Sequence, residues 1–131
     1  MHITLESDYA IRIVQILACA NNRMDAKTIA EETCVTLRFS LKILRKLVTE
    51  GLVKSYKGSQ GGYELTRPAK EISLKDVIEA VEGEYKLSRC LADDYVCTRG
   101  RSGNCRIQDA FNEVSDVVRD KLAEYTFDKL M

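Results

Sequence analysis

Cys90, Cys97 and Cys105 fall in one irregular stretch with the spacing C-x6-C-x7-C, and Arg99-Gly100-Arg101 and Ser102-Gly103 lie between them. A thiolate is a soft ligand. Three on one loop can converge on a soft metal ion or an iron–sulfur cluster, and the neighbouring cations favour the deprotonated form. The spacing is not the tight C-x2-C of a structural zinc site. Unligated thiols would be the plain reading of any one of these residues, but it is the weaker reading of three so close together. The chain has five cysteines, and an odd number argues against a disulfide framework. Cys19, among Ile16, Leu17 and Ala18, is expected to be a small buried apolar residue, and Cys34 to pack in a turn. No base is paired with a nucleophile, there is no phosphate loop, and the one histidine is His2. Enzymes are therefore the least supported class.

A second group of residues could meet phosphate. The formal net charge is zero, which by itself argues against a nucleic-acid binder, but the charges are unevenly distributed. Between Thr36 and Arg67 seven basic residues face two acidic ones, whereas Gln108 to Met131 carries six acids and three bases. A positive block on an otherwise acidic body is the footprint of a surface that meets nucleic acid. Thr36, Arg38 and Phe39 are expected to read base edges, the arginine by bridging two guanine acceptors and Phe39 by touching a thymine methyl. Lys42, Arg45 and Lys46 are expected on phosphates, which give affinity and register. Lys57 is expected in a minor groove or on phosphate, with Gly58, Gly61 and Gly62 letting the backbone approach. Thr28, on the preceding helix, completes the expected DNA-contacting set.

These residues need a frame. Asp8 to Ala20 has the apolar spacing of a buried helix ending at Asn21-Asn22. Asp25 suits the N-cap of a short helix from Ala26 to Glu32, and Thr36 that of a longer one running to Glu50, with Gly51 just past its end. Leu37, Leu41, Leu44 and Val48 form the apolar stripe of that second helix, with Arg38, Lys42, Arg45 and Thr49 on another. Ala30 suits the close approach of the two helices, and Cys34 stands at the turn position where glycine is often found. This is a helix-turn-helix pattern. Leu52 to Tyr56 and Tyr63 to Thr66 read as strands of a hairpin tipped by the glycine-rich run Lys57 to Gly62, with Tyr63 propping it on the core. Ser73 and Asp76 look like a capping box for a helix that stops at Gly83. The last helix, from about Arg106 to Phe127, has an apolar stripe including Ile107, Phe111, Val114, Val118 and Tyr125. So long a stripe calls for a partner helix, hence a dimer.

The fold class is thus mainly α with a small β-hairpin: a winged helix-turn-helix plus a long C-terminal dimerisation helix. Residues 1–83 form the DNA-binding unit, 84–105 the cysteine loop and 106–131 the dimerisation helix. Apolar residues make up 45% of the chain, enough for one core. No run is long enough to span a membrane, and the N-terminus lacks the pattern of a secretory signal, so a cytoplasmic location is expected.

The run Ser7-Asp8-Tyr9-Ala10-Ile11-Arg12, the stretch Gly51-Leu52-Val53, the tip Gly61-Gly62-Tyr63 and the three-cysteine loop, in this order, resemble the IscR/NsrR family (the Rrf-two superfamily). These are bacterial winged-helix regulators, and the resemblance covers essentially the whole chain. It implies a homodimer with crossing last helices, a palindromic operator in double-stranded DNA, and a 2Fe–2S or 4Fe–4S cluster on Cys90, Cys97 and Cys105. The cluster would switch DNA binding in response to iron–sulfur status, nitric oxide, iron or redox poise. One branch of the family has a histidine three residues after its last cysteine, where this chain has Gln108. In the other, an aspartate of the other subunit's first helix completes the site, and Asp8 stands at that place. Asp8 is the favoured fourth ligand, with Gln108, solvent or an external thiol as alternatives and a helix N-cap as the ordinary structural role for Asp8. The loop spacings are longer than the typical five. Two other readings remain: a cluster-free regulator of the same fold, and a metal-binding or protein-docking module without a DNA role.

Overall fold

The computed structural model describes residues 2–131. Helix α1 spans Leu5–Ala20, and its N-cap is Thr4, whose hydroxyl accepts from the Ser7 amide at 3.1 Å. The helix therefore starts three residues before the expected Asp8. Asp8 lies inside it, so the N-cap role falls to Thr4. The buried side of α1 is Ser7, Ala10, Ile13, Val14, Leu17 and Ala18. Cys19 is exposed, correcting the expectation that it is buried: it lies beside Ala18 but turned off that stripe.

Helix α2 (Ala26–Thr33) is capped by Asp25, which accepts from the Thr28 amide at 2.7 Å. This bond stabilises the carboxylate and lowers its pKa. Cys34 ends α2 in the left-handed region at φ 57° and ψ 40°, a conformation that usually takes glycine or asparagine. It lets the Val35 amide reach back to the Ala30 carbonyl at 3.1 Å while Val35 itself is buried. The Cys34 side chain is left exposed rather than packed.

Helix α3 (Leu37–Thr49) starts at Thr36, whose hydroxyl accepts from the Phe39 amide at 3.2 Å. Its buried residues are Ser40, Ile43, Leu44 and Leu47. Of the expected apolar stripe only Leu44 is in the core. Leu37 and Leu41 are exposed, because α3 packs against α1, α2 and α4 on the neighbouring row. Strands β1 (Val53–Tyr56) and β2 (Gly62–Leu65) pair antiparallel, with Val53 opposite Leu65 and Tyr56 opposite Gly62. Two hydrogen bonds between Met24 and Tyr63, at 2.8 and 3.0 Å, fasten β2 to the entrance of α2. The hairpin is therefore held close to its tip, through Tyr63, as well as by its own ladder.

Helix α4 (Leu74–Glu82) opens with the full Ser73–Asp76 capping box and stops at Gly83. It packs on α1 and α3. After the irregular segment 84–105 comes α5 (Arg106–Ala123), shorter than expected. The chain then turns back: the Leu74 amide donates to Tyr125 at 2.9 Å, and the Phe127 amide to Ile72 at 3.0 Å. Phe127 is fully buried in the winged-helix core, so it is a core residue rather than the end of a dimer helix. Among the described residues no helix is long and apolar enough to cross a membrane.

Candidate nucleic-acid interface and cysteine segment

The outer face of α3 carries Leu37, Arg38, Leu41, Lys42 and Arg45, all exposed, around a shallow open concavity that Thr36 also lines. Arg38, Lys42 and Arg45 make no ion pair among the described residues. Lys46, expected on phosphate, is instead held by Glu6 of α1 at 2.7 Å and donates to the Val81 carbonyl at 3.4 Å. Helical geometry explains the sorting: Lys46 lies on the flank nearest α1 and α4, the others on the side away from the core. Phe39 is half-buried, edge-on to Tyr9 with ring centroids 5.4 Å apart, so most of its work is packing. Thr28 is half-buried beside the Asp25 cap.

Lys57 and Gly58 are exposed at the hairpin tip. Gly61 and Gly62 have a structural requirement of their own. A Cβ on Gly62 (φ 141°) would lie 2.7 Å from the Met24 carbonyl oxygen, and one on Gly61 would run into the Tyr56 carbonyl. Close approach at these two glycines is thus to the chain's own backbone. Arg23 stiffens the wing in a way the sequence did not signal. Its guanidinium stacks 3.4 Å from the Tyr56 ring centroid and donates to the Gln60 carbonyl at 3.3 Å.

In the cysteine segment Cys90, Cys97 and Cys105 are all half-buried free thiols. Cys90 lies in a 3-10 turn, Arg89–Leu91, packed on α5. Gln108 Nε2 donates to the Cys90 carbonyl at 2.7 Å, and its Oε1 accepts from the Gly103 amide at 3.3 Å. Cys97 begins a tight turn in which the Gly100 amide donates to its carbonyl at 2.9 Å. Its thiol is pulled below the usual range by the backbone N–H of Arg101, then that of Arg99. Cys105 occupies the N-cap of α5 without a side-chain cap bond. Asp8 is ion-paired with Arg12 at 2.8 Å. Among the described residues no three Cys, His, Asp or Glu side chains stand together as a metal-holding group.

Arg119 of α5 joins the segment to the winged helix. It meets Glu79 of α4 at 2.8 Å and Glu84 of the linker at 3.1 Å, which holds its guanidinium firmly in the charged form. The Leu87 amide donates to the buried Ser115 of α5 at 2.9 Å. Ile107, Val114 and Val117 remain exposed on α5.

A recognition helix with unpaired cations, crossed by a shorter helix and followed by a braced hairpin, is how winged-helix transcription regulators meet duplex DNA, and this chain has that architecture. It belongs to the Rrf2 family, described as iron-dependent transcriptional regulators, whose family model matches residues 3–131. The protein aau3 of Rhizobium meliloti is 31% identical over 100% of this chain and 85% of its own length. An HTH-type transcriptional regulator of Mycobacterium tuberculosis is 38% identical over 63% of this chain, a match spanning about half (53%) of that relative. Among solved structures, T. potens IscR superposes with a TM-score of 0.73 at 23% identity, covering 99% of this chain and 85% of that one. The oxidised form of Staphylococcus aureus CymR gives 0.71 at 27% identity, covering 99% and 95%. The protein is thus a DNA-binding transcriptional regulator of the Rrf2 family with the winged-helix fold.

Proposed function

We propose that this regulator's affinity for its operator is set by an iron–sulfur cluster, 2Fe–2S or 4Fe–4S, held by Cys90, Cys97 and Cys105. Asp8 from the other subunit of a homodimer completes the ligand set. Residues 1–83 bind DNA through Thr36, Arg38, Lys42, Arg45 and Lys57, residues 84–105 hold the cluster, and within 106–131 the helix α5 pairs the subunits. The exposed apolar residues of α5 support the dimer, and two-fold symmetry then calls for a palindromic operator in the cytoplasm.

The observation that carries the reading is the donor set. Three thiols lie in one segment, and the pKa of one, Cys97, is lowered by the backbone N–H groups of Arg101 and Arg99. The thiolate is the form that ligates iron, so the donors fit the group in their chemistry. Ligating together requires the segment to close, and Gly100 and Gly103, both at positive φ with open space beside them, give it turning freedom. A bound cluster would supply a redox couple and a centre reactive toward oxygen and nitric oxide. The chain's own residues do the rest. Gln108 anchors the Cys90 carbonyl to α5, and Arg119 ties α5 to α4, which packs directly on α3. A change of shape at the cysteines thereby has a contiguous mechanical route to the recognition helix.

Anaerobic purification with iron and acid-labile sulfide analysis tests the proposal. Wild-type protein should carry both and absorb in the visible, and Cys97→Ala should lose that absorption. Full colour with an unchanged spectrum in Cys97→Ala would overturn the ligand assignment. A second reading, sensing by thiol oxidation without a cluster, is supported by the lowered pKa of the Cys97 thiol and by the likeness to a CymR solved in an oxidised form. On that reading iron-free protein treated with peroxide changes its DNA affinity, and Cys97→Ala does not.

A further inference from the structure

Leu37 and Leu41, one turn apart on α3, keep 46% and 38% of their surface exposed. They share the concavity lined by Arg38, Lys42 and Arg45. They are not overflow from the core, because Ile43, Leu44 and Leu47 of the same helix already fill it at 0% exposure. At about 100° per residue Leu41 stands roughly 40° from Arg45 and roughly 60° from Arg38, so it points with them rather than toward the body. Elsewhere among the described residues, exposed large apolar side chains lie near the chain ends, in the cysteine segment or on α5.

An apolar pair bordered by three cations with no carboxylate partner fits one kind of occupant. Phosphates take the cations, and the duplex that carries them displays a single apolar group in its major groove, the thymine C5-methyl. A protein partner would instead have to bring acids to all three cations.

We infer that Leu37 and Leu41 are specificity residues that read thymine methyl groups in the operator, while Arg38, Lys42 and Arg45 fix the helix in the groove. This rests on the DNA-binding function of the family and deepens it by naming the base chemistry that the recognition helix selects.

The test uses the purified full chain. Duplexes are selected from a randomised library, and each thymine of a selected duplex is then replaced in turn by deoxyuridine, which removes only the methyl. Binding is followed by fluorescence anisotropy with wild type, Leu37→Ala and Leu41→Ala. One or more replacements should weaken wild-type binding by about three- to fivefold, the worth of one buried methyl. At least one alanine variant should be indifferent to the same replacements. Enrichment of duplexes with no deoxyuridine effect, or an effect equally large in wild type and both variants, would overturn the leucine assignment and leave DNA binding standing. Failure to enrich any duplex would overturn the DNA-binding function itself, and the assignment with it. Both leucines lie at the surface, so the alanine variants should melt like wild type, and Leu37→Gln or Leu41→Gln takes the place of an alanine variant that folds poorly, with the same two outcomes.

Discussion

Gln108 of α5 and Cys90 of the preceding segment, 18 positions apart, are joined by a 2.7 Å hydrogen bond from the glutamine Nε2 to the cysteine carbonyl. The other end of the same amide receives the Gly103 N–H. One side chain thus fastens the cysteine segment at two points, and its donor and acceptor are both committed to backbone. A side chain used this way acts as a strut between α5 and the cysteine segment.

Removing the strut should loosen the segment and little else. Two hydrogen bonds are worth about 1–2 kcal/mol together, so Gln108→Ala should raise local opening by roughly tenfold. Hydrogen exchange read by mass spectrometry should show faster exchange over 88–105 and unchanged protection over α3. Unaltered protection of 88–105 would show that the segment is held by other contacts.

The sorting of cations on α3 gives a second expectation. Lys42 is free for phosphate, whereas Lys46 is engaged by Glu6 and Val81. Lys42→Ala should weaken binding across sequences and reduce the salt slope of log K by about one. Lys46→Ala should leave that slope unchanged and lower the melting temperature slightly, because its loss breaks a tie between α1 and α3. A salt slope that fell equally for both would mean that Lys46 leaves Glu6 when DNA binds.

Much of the frame was legible because caps are local. Asp25, Thr36 and the Ser73–Asp76 box each announce a helix start with a side chain that satisfies amides three residues on. What failed was phase and tertiary placement. Periodicity on α3 allowed two adjacent rows, and only the packing of α1, α2 and α4 chose Ile43 and Leu47 over Leu37 and Leu41. The apolar neighbours of Cys19 point it inward and the turn position of Cys34 suggests packing, yet both are exposed. Arg23 on Tyr56 joins a loop to a strand, and no spacing rule reaches that far. The three cysteines are recognisable by clustering, but whether and how they converge is not written in their spacing.

The end of the chain carries the largest stability prediction. Helical periodicity runs on past Ala123, yet the Tyr125 carbonyl is taken by Leu74 and the Phe127 amide by Ile72, so the chain bends back and inserts Phe127 among the core residues. Deleting a fully buried phenylalanine side chain costs about 3–5 kcal/mol, combining lost transfer energy and the cavity left behind. For a domain of this size that corresponds to a fall in melting temperature on the order of 10 °C. Phe127→Ala should show this loss by thermal denaturation, and Phe127→Leu should recover much of it. Tyr125→Ala, at a residue that is 43% exposed, should cost far less. Should Phe127→Ala melt like wild type, the tail would not be part of the winged-helix core, and α5 would lean on that core through Arg119 and its other contacts with α4.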